Sequence, residues 1–213
     1  MKNILFDFAE VTKKHPNKTA FIFLNKDPRS GHINQISFKE LDEKSSRVAT
    51  FLSREGFHDG IVTIVLAKPS IDFVILLYGM LKTGAVPLLL PSLNIRTKSG
   101  REELRKILKR ANPRGIIGNK FSIFVSQFLF LKKKPEKKLI FSKLKQFYSD
   151  DSNPNSFSIN SDMDWAESAA FVKYTTGTTG PAKGVIYTHR MLHSHLQAPV
   201  SYTHLTLPTI LLV

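Results

Sequence analysis

Residues 60–91 read "GIVTIVLAKPSIDFVILLYGMLKTGAVPLLLP". The segment opens on a compact β-branched run and closes on an apolar run with prolines near its ends; both read as strands. Between them, Ser70 stands where a helix is capped and Gly84 where one is stopped. Neither flanking run alternates apolar with polar residues, which is the pattern of strands buried on both faces of a parallel sheet. Downstream, "SGREELRKILKRANP" is amphipathic, with Glu102 and Glu103 in its first turn and basic residues toward its end, as the helix dipole prefers. "RGIIG" then supplies a third strand. The order β-α-β-α-β predicts an α/β fold: a parallel sheet with helices on both faces.

Upstream, Ser37 and Glu40 have capping-box spacing at the start of "SFKELDEKSSRVATFLSREG". Phe38, Leu41, Val48, Phe51 and Leu52 suit one face of that helix, and Gly56 is a natural stop. Before it, "TAFIFLN" and "HINQISF" read as two short strands joined by a "KDPRSG" turn. Beyond Asn119 the pattern weakens. "FSIFVSQFLFL" fits either a helix or a strand, and "SDDSNPNSFSINSD" is a polar loop. "ESAAFVKY" is a strand of modest strength.

The 213 residues contain no cysteine, which excludes a disulfide scaffold, a Cys-ligated zinc site and a thiol nucleophile, and accords with a reducing, cytoplasmic compartment. The most apolar stretch, Phe73 to Leu90, is broken by Lys82, Gly84 and Pro87. A membrane span needs about 20 predominantly apolar residues, so the stretch is read as core and the protein as soluble. The formal charge is +14, and Lys98 to Lys145 alone hold fifteen Lys/Arg against three Glu, a net of +12. A basic run of this kind is most simply a solvated face. It also suits nucleic acid or an anionic membrane surface, although neither zinc-finger spacing nor an aromatic RNA-binding signature accompanies it.

The strand "ESAAFVKY" runs directly into "YTTGTTGPAKGVIYTHR", residues 174–190. Five hydroxyl residues, three glycines and one lysine fall within Tyr174 to Gly184. A Gly-rich turn after a strand lets backbone amides converge on an anion. Gly177 and Gly180 allow close approach, Thr175, Thr176, Thr178 and Thr179 offer hydroxyls, and Lys183 offers a mobile cation. The bland alternative is a flexible Gly/Thr turn. The Walker A loop is excluded, because Ala182 stands where its second glycine belongs, and so is the Gly-x-Gly-x-x-Gly dinucleotide fingerprint.

The stretch resembles the phosphate-loop signature of the adenylate-forming superfamily, which includes acyl-CoA synthetases, luciferases and peptide-synthetase adenylation domains. Its pattern is Tyr/Phe-Thr-Ser-Gly-Thr/Ser-Thr-Gly-x-Pro-Lys-Gly-Val, followed closely by a Thr/Ser-His step into a helix. Two positions depart from it. Thr176 replaces serine and keeps the hydroxyl, and the proline lies one place early, giving "GPAKG". "HPNKTAFIF", "SFKELDEKSSRVATFL", "KPSIDFVILLYGMLKTGAVPLLLP" and "ANPRGIIG" resemble the opening of the same enzymes, so the likeness covers most of residues 10–198. The section from Lys120 to Tyr148 matches poorly. The run around "KTGAVP" leans toward the fatty-acyl branch, including the ligases that close β-lactones in olefin synthesis.

The resemblance implies a two-step reaction. A carboxylate, here a fatty acid, attacks the α-phosphorus of ATP to give an acyl-adenylate and pyrophosphate; a thiol such as coenzyme A then takes the acyl group. It implies that Thr175, Thr176, Gly177, Thr178, Thr179 and Gly180 hold the β- and γ-phosphates, that Lys183 neutralises departing pyrophosphate, and that Mg2+ bridges the phosphates. The superfamily's later elements are an aromatic-Gly-x-Thr-Glu segment, a ribose-binding aspartate and a mobile domain with the adenylation lysine. They are absent from these residues, so residues 1–198 are read as a partial N-terminal AMP-binding domain, inactive alone and without a catalytic residue. Residues 199–213, "PVSYTHLTLPTILLV", have no counterpart in the superfamily and are read as a non-native tail.

Other residues carry plainer expectations. His189, His193 and His195 cluster without an identifiable third ligand, so no metal site is assigned, and His189 is placed in the turn after the loop. Trp165 is a packing anchor, and Phe73, Leu76, Leu77, Met80 and Leu81 form a helix core stripe. Asp7 and Asp72 have no evident partner for acid–base work. The rival readings are a non-enzymatic basic α/β module binding nucleic acid or anionic membrane through residues 98–145, and a pseudoenzyme.

Overall fold

A computed structural model describes residues 3–24, 33–90, 96–129, 135–153, 156–159, 164–175 and 182–197. The chain opens with a helix, α1 (Ile4–Lys14), then two strands, β1 (Thr19–Leu24) and β2 (Ile33–Ser37), paired antiparallel. Next come α2 (Phe38–Arg54), β3 (Val62–Leu66), α3 (Ile71–Thr83), β4 (Val86–Leu89), α4 (Lys98–Ala111) and β5 (Gly115–Gly118). The rest is α5 (Lys120–Leu129), β6 (Lys137–Ile140), α6 (Phe141–Ser149), β7 (Ala169–Thr175), β8 (Lys183–Thr188) and α7 (His189–Gln197).

The expected local signals operate as capping chemistry. Ser37 Oγ accepts from the Glu40 amide while the Glu40 carboxylate accepts from the Ser37 amide, a complete capping box. Ser70 Oγ accepts from the Phe73 amide to start α3, and Gly84 ends it at φ 75°, a left-handed conformation natural to glycine. Of the ambiguous stretch after Asn119, the residues up to Leu129 form the helix α5, and its last two lie outside the described residues.

The main sheet has six strands in the order β6-β5-β3-β4-β7-β8. β3, β4, β5, β6 and β7 run parallel, as the buried apolar strands predict. β8 departs from that expectation by returning antiparallel along β7. Crossovers between parallel strands are right-handed, so steps in opposite directions along the sheet put their helices on opposite faces. Accordingly α3 and α6 share one core with α2, built on Leu41, Val48, Leu76, Met80, Leu144 and Tyr148. α4 and α5 share the other, built on Leu104, Ile107, Leu108 and Ile123 with Ile64, Leu88 and Ile116. β3 and β4 therefore lead to helices on opposite faces. That arrangement opens a crevice at the carboxyl edge of a doubly wound sheet, where ligands bind.

Candidate functional site

β7 lies beside β4 and ends at that carboxyl edge. The glycine–threonine motif spans its last residues and the start of β8. Thr175 is the last residue of β7 and Lys183 the first of β8, and the two are register partners at the open end of the hairpin. Thr176, Gly177, Thr178, Thr179 and Gly180 lie outside the described residues. The structure thus supplies the stem of the loop and brings its first hydroxyl residue and its lysine to the same rung.

Three contacts fix this stem. Tyr174 is buried, and its register partner is Gly184. A Cβ on Gly184 would sit 2.7 Å from the tyrosine Cζ, so the ring occupies the space that a side chain at 184 would need. The tyrosine and the glycine of the motif are two halves of one packing arrangement. Ala182, also buried, joins the α4–α5 core, and its amide donates to Glu103 Oε1 at 2.7 Å. Lys183 is exposed, and no described residue pairs with its ammonium. An exposed cation next to a sequence run rich in threonine and glycine suits a polyphosphate, and Mg2+ would arrive with those phosphates.

His189 is not in a turn, as the sequence suggested; it is the first residue of α7 and is 1% exposed. Its amide donates to Ser168 O and that of Arg190 to Ala166 O, which ties the start of α7 to the segment ahead of β7. Its Nδ1 lies 3.0 Å from Asn3 Oδ1, the same oxygen that caps α1 by accepting from the Leu5 amide. The capping bond identifies that atom as oxygen, so Nδ1 carries the proton and Nε2 is the bare nitrogen. Nε2 is buried without a described partner, and burial pushes the His189 pKa down to about 4. The imidazole therefore stays neutral at physiological pH, edge-on to the buried ring of Trp165. One turn further, His193 Nδ1 meets Asp7 Oδ2 at 2.5 Å. The two histidines turn to α1 and not to each other. No group of three metal-ligating side chains occurs among the described residues.

Asp72, without an evident partner in the sequence, accepts from Tyr148 Oη and Lys145 Nζ, both on α6. It braces two helices, α3 and α6.

A mostly parallel α/β sheet with a Gly/Thr/Lys hairpin at its carboxyl edge defines the large domain of the adenylate-forming enzymes. The chain belongs to that superfamily: the AMP-binding enzyme family matches residues 8–209. Bacitracin synthase 2 of Bacillus licheniformis is 25% identical over 191 residues, 90% of this chain and 6% of that protein. The olefin beta-lactone synthetase of Xanthomonas campestris pv. campestris is 28% identical over 166 residues, 73% of this chain and 28% of that protein. Among solved structures, a long-chain-fatty-acid-CoA ligase from Archaeoglobus fulgidus superposes with a TM-score of 0.74 at 26% identity, covering 95% of this chain and 40% of that one. The chain therefore corresponds to the N-terminal region of the superfamily and spans well under half the length of these relatives.

Proposed function

We propose that these residues are the phosphate-loop-bearing N-terminal part of an ATP-dependent acyl-activating ligase. The observation that carries the reading is the hairpin stem at the carboxyl edge of the sheet, with Thr175 opposite Lys183 and the hydroxyl-rich run between them. The substrate carboxylate would attack the α-phosphorus of ATP, forming a C–O–P bond and expelling pyrophosphate. The acyl group would then pass to a thiol such as coenzyme A, releasing AMP. Charge gathers on the departing pyrophosphate, and Thr175, Thr176, Thr178, Thr179 and the amides of Gly177 and Gly180 supply donors there. Lys183 supplies the neutralising cation, and Mg2+, when it arrives with ATP, would add to that charge neutralisation.

A fatty acid is the proposed carboxylate. The likeness to a fatty-acid-CoA ligase supports it, as does the similarity to an olefin beta-lactone synthetase. Residues 1–198 are proposed as the domain part and residues 199–213, which lie outside the described residues, as a non-native tail. Turnover is assigned to the whole polypeptide and not to these residues in isolation, with a cytoplasmic location.

The test is pyrophosphate release from ATP–Mg2+ by the full-length polypeptide across carboxylic acids of increasing chain length. Acid-dependent release that falls at least about a hundredfold in Lys183→Ala and in Thr179→Ala supports the reading. Release that is absent for every acid, with the fold intact, would leave a pseudoenzyme. Release indifferent to both substitutions would remove the loop from the mechanism.

A further inference from the structure

Part of the chain's basic surplus lies on one helical layer of the fold. α4 carries six Lys/Arg and two Glu, a net of +4, and Lys98, Arg105, Lys106, Lys109 and Arg110 are all exposed. α5 packs on the same face of the sheet, through the core that Ile123 shares with Leu104, Ile107 and Leu108. Its first residue, Lys120, is exposed. So are two phenylalanines one helical turn apart, Phe121 at 75% and Phe124 at 66%. Residues at i and i+3 lie on one side of a helix, so the two rings belong to one patch. Ile123 lies on the other side, buried at 8% exposure. α5 is therefore amphipathic in an unusual sense: one apolar side faces the core and a second, aromatic one faces out.

Phenylalanine has no hydrogen-bonding group, and two rings this exposed are more than a scattered surface hydrophobe. Basic residues beside outward aromatic rings are the composition of helices that lie in a membrane interface. There the rings enter the headgroup–acyl boundary and the cations meet lipid phosphates. We propose that the outer face of the α4–α5 layer docks on an anionic lipid bilayer, with Phe121 and Phe124 entering the interface and the exposed basic residues of α4 binding headgroup phosphates. This is surface attachment: no helix among the described residues is long and apolar enough to cross a membrane. Within residues 98–145, it places the attachment on the layer that carries both exposed charge and exposed apolar surface.

The experiment is flotation of the full-length polypeptide with vesicles of phosphatidylcholine alone or of phosphatidylcholine and phosphatidylglycerol in equal parts, at low and high salt. No nucleotide or acid is present, so the outcome is independent of whether the protein forms adenylates. Binding is expected to the anionic vesicles only and to weaken with salt. Phe121→Ser combined with Phe124→Ser should lower it about tenfold or more at an unchanged melting temperature, because both side chains are exposed. Lys109→Glu combined with Arg110→Glu should lower it at least about fivefold for each charge replaced, which tests the face through a second helix. Equal binding to neutral and anionic vesicles, or ring and charge variants that bind as the parent does, would overturn the proposal. Capture by single-stranded RNA without vesicle binding would overturn it too and reassign the face to nucleic acid.

Discussion

The carboxylate of Glu103 and the backbone amide of Ala182 are joined by a 2.7 Å hydrogen bond across 79 residues of sequence. α4 starts earlier than its sequence suggests, capped by Thr97, so Glu103 sits in its second turn and not its first; Ala182 immediately precedes Lys183. One helix thus anchors the residue that leads into Lys183. Glu103→Ala leaves the buried Ala182 amide without its acceptor, a loss of about 1–3 kcal/mol, and frees the residue next to the loop cation. Glu103→Gln keeps a carbonyl oxygen in reach. Urea denaturation with ATP titration of the full-length protein separates the two effects. The alanine variant should lose stability and bind ATP more weakly, and the glutamine variant should stay near the parent. Equal losses in both would mean that the negative charge, not the acceptor, is what matters.

Tyr174 and Gly184 make a second demand on the stem. A Cβ at 184 would stand 2.7 Å from the tyrosine Cζ and 3.0 Å from Cε2, contacts that require the ring to move. Gly184→Ala should therefore cost about 1–3 kcal/mol. Tyr174→Ala opens the space, so the double variant should be more stable than the sum of the single losses predicts, a coupling measurable by a double-mutant cycle. Strict additivity would show that the ring and the glycine do not compete.

Lys82 tests the seam between α2 and α3. It is 5% exposed, and its ammonium donates to Asp42 O at 2.9 Å, Asp42 Oδ1 at 2.7 Å and Ser46 Oγ at 2.8 Å. All three of its donors are used. The pair is asymmetric, because the Asp42 side chain is 43% exposed. Removing the lysine leaves a carboxylate that water can reach, whereas removing the carboxylate leaves a buried cation with one charge partner fewer. Asp42→Ala is therefore expected to cost about 2–3 kcal/mol and Lys82→Met about 1 kcal/mol, with thermal denaturation giving the order. The reverse order would show that the lysine stem, not its charge, carries the packing.

What was legible in the sequence is what local chemistry determines. Ser37 with Glu40, Ser70 and Gly84 announce helix ends because their partners lie within a few residues. β3, β4 and β5 announce themselves because buried strands are apolar throughout. β6, "KKLI", was not legible: it is an edge strand with Lys138 exposed, and its composition reads as part of a charge run. β8 was missed for the same reason, since its first four residues are exposed. Nor were α1 and α6 legible, α6 because it lies within the basic run. The loop motif was legible as a string, and the partnership of Tyr174 with Gly184 explains part of its pattern. Glu103 and Asn3 gave no signal, because their contacts join residues 79 and 186 positions apart.

His189 yields the pH prediction. Its folded pKa, about 4, lies below the ordinary histidine value of 6.5 because the ring is buried. Between those values the unfolded chain binds a proton that the folded chain refuses, so stability must fall as pH drops from 7 toward 4. Two pKa values this far apart imply a loss of about 2 kcal/mol by pH 5 and about 3 kcal/mol when the pH passes below the folded value. Other groups titrate in the same window, so the comparison is with His189→Asn, which has no proton to gain. Urea midpoints at pH 7 and pH 5 should converge: the parent loses the His189 contribution on acidification and the variant does not. A parent and variant that lose stability in parallel would show that His189 accepts its proton in the folded state, and that the bare Nε2 is within reach of water.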